Sequence, residues 1–525
     1  MNVPARTPAT EAETTGRLTW LLGWFAIVAV GLYAVVGVVF VVWGRLNGDE
    51  GWYLYAARLV YRGQLPYHDF SFTQMPLLPY LYGPLQLITP SLYTGRVVSL
   101  VLGTAAVALC VRVAWREGGR PAAAAVALLC VAAPTAVYNL TLTKTYALVA
   151  FFLAALLATL LSPGRRSITF PLAAAAATGL ALTRASGVPL SVLVIAYLLW
   201  QAPDRRVRVW VGAIAAAGIA ILAGFVLVDF GAARFDLISF HQLLWHGAPT
   251  RARWDTIVED RIPEWFGDYW GYLLLSAAAI VALVTSESLR RYFRSRAGYS
   301  ILTVGVVLYL AVQLLAEFAP VEYAAPVIPL VVTIPTILLS RRLLGPLGTR
   351  PTFRGAGIAA SVGVVALAAL TFVHPSAGEY LVDRGAPDSV GVANRVAAYV
   401  RDHTRPSDEV LALWAQPATL ASDRDLVPDT SFGLFSYEDL STARARALHY
   451  VNKQRLLEII ESRRPAAIVL TDVDRTFFNF KGSYSDRHTD PHAITNAVTA
   501  NYRRVHSDVG LGVNGTTNVD VYLRR

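Results

Sequence analysis

The sequence predicts a polytopic α-helical membrane protein that carries a small α/β domain at its C-terminal end. Three observations point there. Charged residues make up 16% of the chain and hydrophobic ones 55%, with a mean hydropathy of +0.45, whereas a soluble domain carries about 25% charged residues. Apolar runs that reach or approach the roughly 20 residues needed to cross a bilayer recur through the first two thirds of the sequence. Arginine pairs punctuate the short connectors between them: Arg165-Arg166, Arg205-Arg206, Arg290-Arg291 and Arg341-Arg342. A net charge of +10 placed in this way is the mark of cytoplasmic loops and excludes a nucleic-acid surface.

Residues 1–15 are polar with both charge signs, and no cleavage-site pattern follows the first apolar run. Trp20–Val42 is therefore a retained span and not a signal peptide. The further spans are Tyr93–Val113, Pro121–Tyr138, Tyr146–Leu161, Phe170–Leu182, Val188–Trp200, Trp210–Val228, Tyr269–Thr285, Ile301–Leu315, Ala324–Leu339 and Gly355–Val373, about eleven transmembrane helices in all. Phe170–Leu182 and Val188–Trp200 are short, and with Arg184 and Pro189 near them they also fit broken or re-entrant helices. With the N-terminus in the cytoplasm, the connectors rich in arginine (Arg112, Arg116 and Arg120, the four pairs, and Arg350 and Arg354) all fall on one side. Residues 44–92, 229–268 and everything after Val373 then face outward, across a plasma (inner) membrane. Cys110 and Cys130 lie in or beside apolar spans, so no structural disulfide is expected.

From His374 to Arg525 the composition becomes that of a soluble domain. Val390–His403 has the period of an amphipathic helix, Val410–Trp414 that of a buried strand and Leu440–Ser462 that of a helix. Arg463-Arg464-Pro465 breaks that helix, Ala467–Leu470 is a short apolar strand, and Val519–Leu523 alternates as a last strand. Helix and strand alternating over this length predict a small extracytoplasmic α/β domain, residues 374–525, on a membrane domain of residues 1–373.

The most distinctive stretch is the first outer loop, residues 44–92. Asp49 and Glu50 follow the first span directly. At helical spacing Trp52, Tyr55, Ala56 and Leu59 make one apolar face, and Glu50, Arg58 and Arg62 fall on one polar row. A segment rich in Pro and aromatic residues follows, the composition of the membrane interface. The plainer reading of Asp49 and Glu50 is a pair of helix-capping acids on a solvated loop.

Asp49-Glu50 after the first span, the interfacial helix, Pro66-Tyr67-His68-Asp69-Phe70 and Met75-Pro76-Leu77 resemble the first outer loop of GT-C glycosyltransferases. The nearest likeness is to the protein O-mannosyltransferase and aminoarabinose-transferase (ArnT-like) branch. That resemblance implies an inverting transfer of a sugar from a polyprenyl-phosphate donor to an acceptor hydroxyl on a glycan, lipid or protein at the outer face. Phosphate is a good leaving group that needs charge stabilisation more than a general acid, so one carboxylate base suffices. By position Asp49 is that base and Glu50 orients the acceptor or holds Asp49, with the two roles exchangeable. The donor phosphate needs cations. Arg58, Lys144, Arg184 and Arg96 lie on or near the outer side in this topology, and Lys144 is the only lysine before the soluble domain. Tyr53, His68, Asp69, Gln74 and Glu322 are candidate substrate contacts.

Two departures from the family pattern matter. Gln74-Met75-Pro76 stands where aminoarabinose-type members often have Lys-Pro-Pro. The connector Tyr138–Tyr146 contains no acid, which weakens the case for a two-carboxylate metal site, although a divalent cation, with Asp49 as a ligand, stays open. Phe235–Trp270 combines His, acids and tryptophans in no standard metal spacing, and Asp472-Val473-Asp474 imitates the DxD element of nucleotide-sugar transferases. The competing functions are a transporter or flippase for a lipid-linked substrate, and a non-catalytic scaffold. A transporter should show internal repeats and mid-membrane charges, whereas these spans are mostly charge-free and the distinctive acids sit at the outer edge.

Overall fold

The structure is a computed structural model that describes residues 8–162, 164–243, 254–315, 320–344, 388–485, 492–512 and 515–525, with positions 363 and 367. Apart from positions 363 and 367, the span expected at Gly355–Val373 lies outside the described residues, as does Glu317, which with Glu322 flanks the short outer connector between two late spans. Helices α1 (Pro8–Trp43), α4 (Leu92–Val131), α6 (Tyr146–Leu160), α7 (Arg166–Thr183), α8 (Val188–Gln201), α9 (Arg205–Val228), α12 (Ile262–Thr285), α14 (Ala297–Leu315) and α15 (Ile328–Leu344) occupy the other predicted spans. Six helices among the described residues are long and apolar enough to cross a membrane, and Tyr146–Leu160 and Ala185–Gln201 are shorter apolar helices. Between Tyr93–Val113 and Pro121–Tyr138 the chain stays helical as one 40-residue element, with its break at Gly119, φ 81°. That backbone angle suits glycine, and Pro121 restarts the helix where its missing N–H is harmless.

Two polar clusters bracket the apolar length of α4. Near its start Arg96 pairs with Glu50. Just before Gly119, Glu117 accepts from Arg116, Arg296 and the Tyr292 hydroxyl, and the Arg341 Nε–H donates to its carbonyl. The rise of an α-helix sets the two clusters about 30 Å apart, the thickness of a bilayer's hydrocarbon core. Three of the arginine-bearing connectors thus meet at Glu117, at the end of the bundle opposite Glu50.

On the Glu50 side lie α2 (Asp49–Tyr61), α3 (Leu77–Ile88), the short α5 (Pro134–Asn139), and α10 (Phe230–Arg234) running through a π turn into α11 (Phe240–Leu243). The short amphipathic α13 (Glu287–Ser295) lies on the arginine side. From residue 388 onward the chain forms the α/β region. It consists of α16 (Ser389–His403), β1 (Glu409–Ala412), β2 (Asp425–Leu426), α17 (Thr442–Ala447), α18 (Lys453–Glu461), β3 (Ala467–Thr471), α19 (Asp472–Ser485), α20 (Ala493–Asn501), β4 (Tyr502–Leu511) and β5 (Thr517–Arg524). The sheet order is β2-β1-β3-β5-β4, with β1 parallel to β2 and β3, and β5 antiparallel to β3 and β4.

The single helix expected over Leu440–Ser462 is two helices. His449 takes a left-handed φ of 61°, and Asn452 caps the second helix by accepting from the Arg455 N–H at 2.9 Å. Strands β2 and β4 were not expected from the sequence. Polar residues interrupt the alternation along β4, which is exposed through its middle.

Candidate active site

Helix α2 lies between the bundle and the α/β region, buried over most of its length. Its outward side is fastened to that region. Arg58 Nη2 donates to Asp423 at 2.5 Å and its Nη1 to the Leu420 carbonyl, Arg62 pairs with Asp425, and the Tyr55 hydroxyl accepts from the Leu426 N–H at 2.9 Å. At the helix start two glycines allow contact that no other residue would. A Cβ on Gly48 would lie 2.5 Å from the Trp414 indole, and one on Gly51 2.6 Å from the Pro417 nitrogen.

The adjacent acids at this start go separate ways, because successive helical residues point about 100° apart. Glu50 is fully buried and takes the guanidinium fork of Arg96, Nη2 to Oε1 at 2.7 Å and Nε to Oε2 at 2.9 Å. It also accepts from the N–H groups of Asn47 and Thr143, each at 3.2 Å. Arg96, equally buried, spends its remaining donors on the carbonyls of Phe40, Val41, Gly44 and Arg45, at the end of α1. Both charges are saturated in this way. Glu50 is therefore not an interchangeable partner of Asp49 as base, and Arg96 has no donor left for a phosphate. The pair ties the end of α1, the start of α2, α4 and the 140–145 connector together.

Asp49 faces the other way and keeps a quarter of its side chain exposed. Its Oδ1 accepts from the Trp52 indole N–H at 3.3 Å, and its Oδ2 meets the Lys144 ammonium at 2.9 Å. Lys144 reaches on to Glu322 Oε1 at 3.5 Å and lies 5.4 Å above the Tyr146 ring. Burial opposes charge on Lys144, but Asp49, Tyr146 and Glu322 outweigh it and hold the ammonium well above its usual range. It is a fixed cation.

Arg184 sits where α7 ends in an extended residue, before the single turn Ala185–Gly187 that leads into α8. The chain turns here, so Phe170–Leu182 and Val188–Trp200 are separate helices. Arg184 donates to Thr145 Oγ1 at 2.8 Å and stacks 4.5 Å from the Tyr323 ring and 5.3 Å from that of Tyr146. Among the described residues no carboxylate is within ion-pair distance of it. Tyr53 belongs to the same chamber: burial pushes its hydroxyl up, Arg184 pulls it down, Asp49 raises it and Lys144 lowers it. The chamber is thus built from α2 (Asp49, Tyr53), the 140–145 connector (Lys144), the α7–α8 turn (Arg184) and the 3-10 segment Val321–Val327 (Glu322, Tyr323).

That last segment also opens onto a groove of about 230 Å³. Its walls are Ala324, Val327 and Ile328 on one side, Trp265, Phe266 and Tyr269 of α12, and Leu310 and Leu314 of α14. The Tyr269 hydroxyl donates to the Val321 carbonyl at 2.8 Å, holding the groove wall against the Glu322 turn. The lining is apolar and aromatic, and one wall comes from the segment that also carries Glu322 and Tyr323.

Several expected site residues lie elsewhere. Arg58 is a docking residue, buried against Asp423. His68 and Asp69 form an exposed turn in which Asp69 Oδ2 accepts from the Leu65 N–H at 2.7 Å. The main-chain carbonyl of Gln74 accepts from the Tyr67 hydroxyl at 2.7 Å. The Asp472-Val473-Asp474 element is turned inward, with Asp474 buried and accepting from the N–H groups of Trp414 and Thr471. Asp472 is occupied by Arg475 and Asn518. Thr145, Tyr146 and Trp414 were not expected. Tyr146 adjoins Lys144 in sequence, which is the one signal available for it, whereas the approach of Trp414 is purely tertiary.

A divalent cation does not fit this donor set. No three His, Cys, Asp or Glu come together among the described residues, and an ammonium already lies between Asp49 and Glu322.

The helical bundle, the buried loop helix and the α/β region above them make a fold with solved counterparts. It is shared with the solved structure of ArnT from Cupriavidus metallidurans bound to undecaprenyl phosphate, at 13% identity and TM-score 0.59, covering 96% of this chain and 98% of that one. The apo ArnT structure matches at 14% identity and TM-score 0.56, over 97% and 98% of the two chains. An Archaeoglobus fulgidus oligosaccharyltransferase is a looser match, TM-score 0.47 at 12% identity, over 96% of this chain and 74% of that one. At these identities the likeness is one of fold. No family model matches the sequence, and no curated protein does.

Proposed function

We propose that this chain is an inverting glycosyltransferase that moves a sugar from a polyprenyl-phosphate donor to an acceptor hydroxyl. The observation that carries the reading is a partly exposed carboxylate, Asp49, held by the Lys144 ammonium, with Arg184 stacked on Tyr323 in the same chamber and an apolar groove walled by the segment that carries Glu322. An amphipathic donor with one negative charge at the junction of lipid and sugar matches that sequence of surfaces. The fold agrees, since the similar ArnT structure holds undecaprenyl phosphate.

In this reading the lipid chain enters by the groove, and Arg184, with no carboxylate among the described residues within ion-pair distance, meets the phosphate. Asp49 accepts the proton of the acceptor hydroxyl, whose oxygen bonds to the anomeric carbon as the bond from that carbon to the phosphate oxygen breaks. The electron pair leaves with the phosphate, and a single displacement inverts the anomeric centre. Lys144 and the Trp52 indole hold the carboxylate in place. By the arginine distribution the chamber and the α/β region face outward across the plasma membrane, with the N-terminus in the cytoplasm.

The test is transfer by the purified protein in lipid bilayers from a panel of radiolabelled polyprenyl-phosphate sugars. Label leaving the lipid fraction with one donor supports the reading. No transfer from any donor, together with no binding of polyprenyl phosphate, contradicts it.

A further inference from the structure

The chamber has two carboxylates facing one another across a single cation, and that cation is a side chain. We propose that the Lys144 ammonium takes the position in which a divalent metal would bridge Asp49 and Glu322, so that the site works with a resident organic cation and needs no metal. The activity part of this inference rests on the proposed function; the binding part does not.

The geometry carries the argument. Asp49 Oδ2 and Glu322 Oε1 lie 2.9 and 3.5 Å from Lys144 Nζ, so one ammonium serves acids from two segments distant in sequence. Its side chain is 5% exposed, and its backbone is pinned on both sides, with the Thr143 N–H on Glu50 and the Lys144 N–H on the Leu142 carbonyl at 2.8 Å. Burial and the two ion pairs hold the side chain in place. A divalent ion on the same oxygens would lie against this ammonium, and like charges at such spacing repel strongly in a buried site.

The consequence is chemical. A metal would polarise the donor phosphate and hold the carboxylates as one unit. Here the two tasks are divided between side chains: Lys144 holds Asp49 and Glu322, and Arg184 is left for the phosphate. Lys144 is accordingly a positioning residue for the base more than a phosphate ligand.

The experiment measures Mn2+ binding by electron paramagnetic resonance on the purified protein, and sugar transfer with and without EDTA. Wild type is expected to leave the free Mn2+ signal unchanged and to keep its transfer rate in EDTA within about twofold. Lys144→Ala, or Lys144→Gln if the alanine variant does not fold, is expected to lose transfer by about a hundredfold. It should also gain Mn2+ binding that a second change, Asp49→Asn, abolishes. Mn2+ binding by wild type that disappears in Asp49→Asn overturns the proposal, as does transfer that EDTA abolishes and Mn2+ restores. Failure of both lysine variants to gain Mn2+ binding also overturns the bridging assignment. If wild type transfers from no donor, the proposed function fails, while the Mn2+ measurements still decide this inference.

Discussion

Glu50 and Arg96 meet in a two-bond ion pair, 2.7 and 2.9 Å, with no solvent on either side. One residue away, Asp49 is a quarter exposed and held by Lys144. The first pair fixes the second, because Glu50 also grips the Thr143 N–H and so sets where the neighbouring lysine stands. Structure and chemistry are divided between two adjacent acids.

Glu50→Gln leaves Arg96 charged and unpaired in the interior. Breaking one side of a buried pair costs about 3–5 kcal/mol, so this variant should lose most of its folded yield and show a markedly lower Tm in detergent. A Tm equal to wild type would mean that the pair is dispensable.

Arg184→Gln should weaken the donor and spare the acceptor. Losing one charge-assisted contact of about 1.5–3 kcal/mol raises the donor KM by about ten- to a hundredfold. The binding of polyprenyl phosphate alone should fall by the same factor, which a tryptophan-fluorescence titration would measure.

Gly48→Ala should act through the α/β region. The new methyl meets the Trp414 ring and displaces the start of α2, where small misplacements lower rates by about ten- to a hundredfold. Donor binding should stay unchanged, and Trp414→Leu in the same chain should restore part of kcat by making room.

Asp236 supplies a pH test at the junction of loop and domain. It is fully buried, accepts from the Phe72 N–H at 2.8 Å and the Tyr450 hydroxyl at 2.7 Å, and burial pushes its carboxyl up to about 7. In the unfolded chain an aspartate titrates near about 3.9. Over the window between these values the folded protein holds the extra proton, so its stabilising contribution is full below about pH 4 and is lost as pH rises through 7. Relative to Asp236→Asn, which mimics the neutral acid, wild-type stability should fall across that window by about 1.4 kcal/mol per unit. Paired thermal melts at several pH values check this.

Much of this was legible in the sequence, for physical reasons. Apolar runs and arginine placement are long-range compositional signals, so the described helices overlap the expected apolar runs, six of them long and apolar enough to cross a membrane. Asp49, Lys144, Arg184 and Glu322 were found because charges beside spans are costly unless used, and the structure brings all four together. Glu50, Arg58 and Arg96 were read as site residues for the same reason. Sequence cannot tell a charge that faces a chamber from one saturated by carbonyls of a distant helix end. Trp414 carried no signal, since its contact with Gly48 depends on how a domain more than three hundred residues away is seated.

The most direct test of the central claim is single-turnover sugar transfer by Asp49→Asn in lipid bilayers, with donor binding measured on the same sample. Asparagine keeps the size and the bond from the Trp52 indole but cannot take the acceptor's proton. The account predicts unchanged donor binding and a rate lower by about 10²–10⁴, whereas a wild-type rate would show that Asp49 only caps its helix.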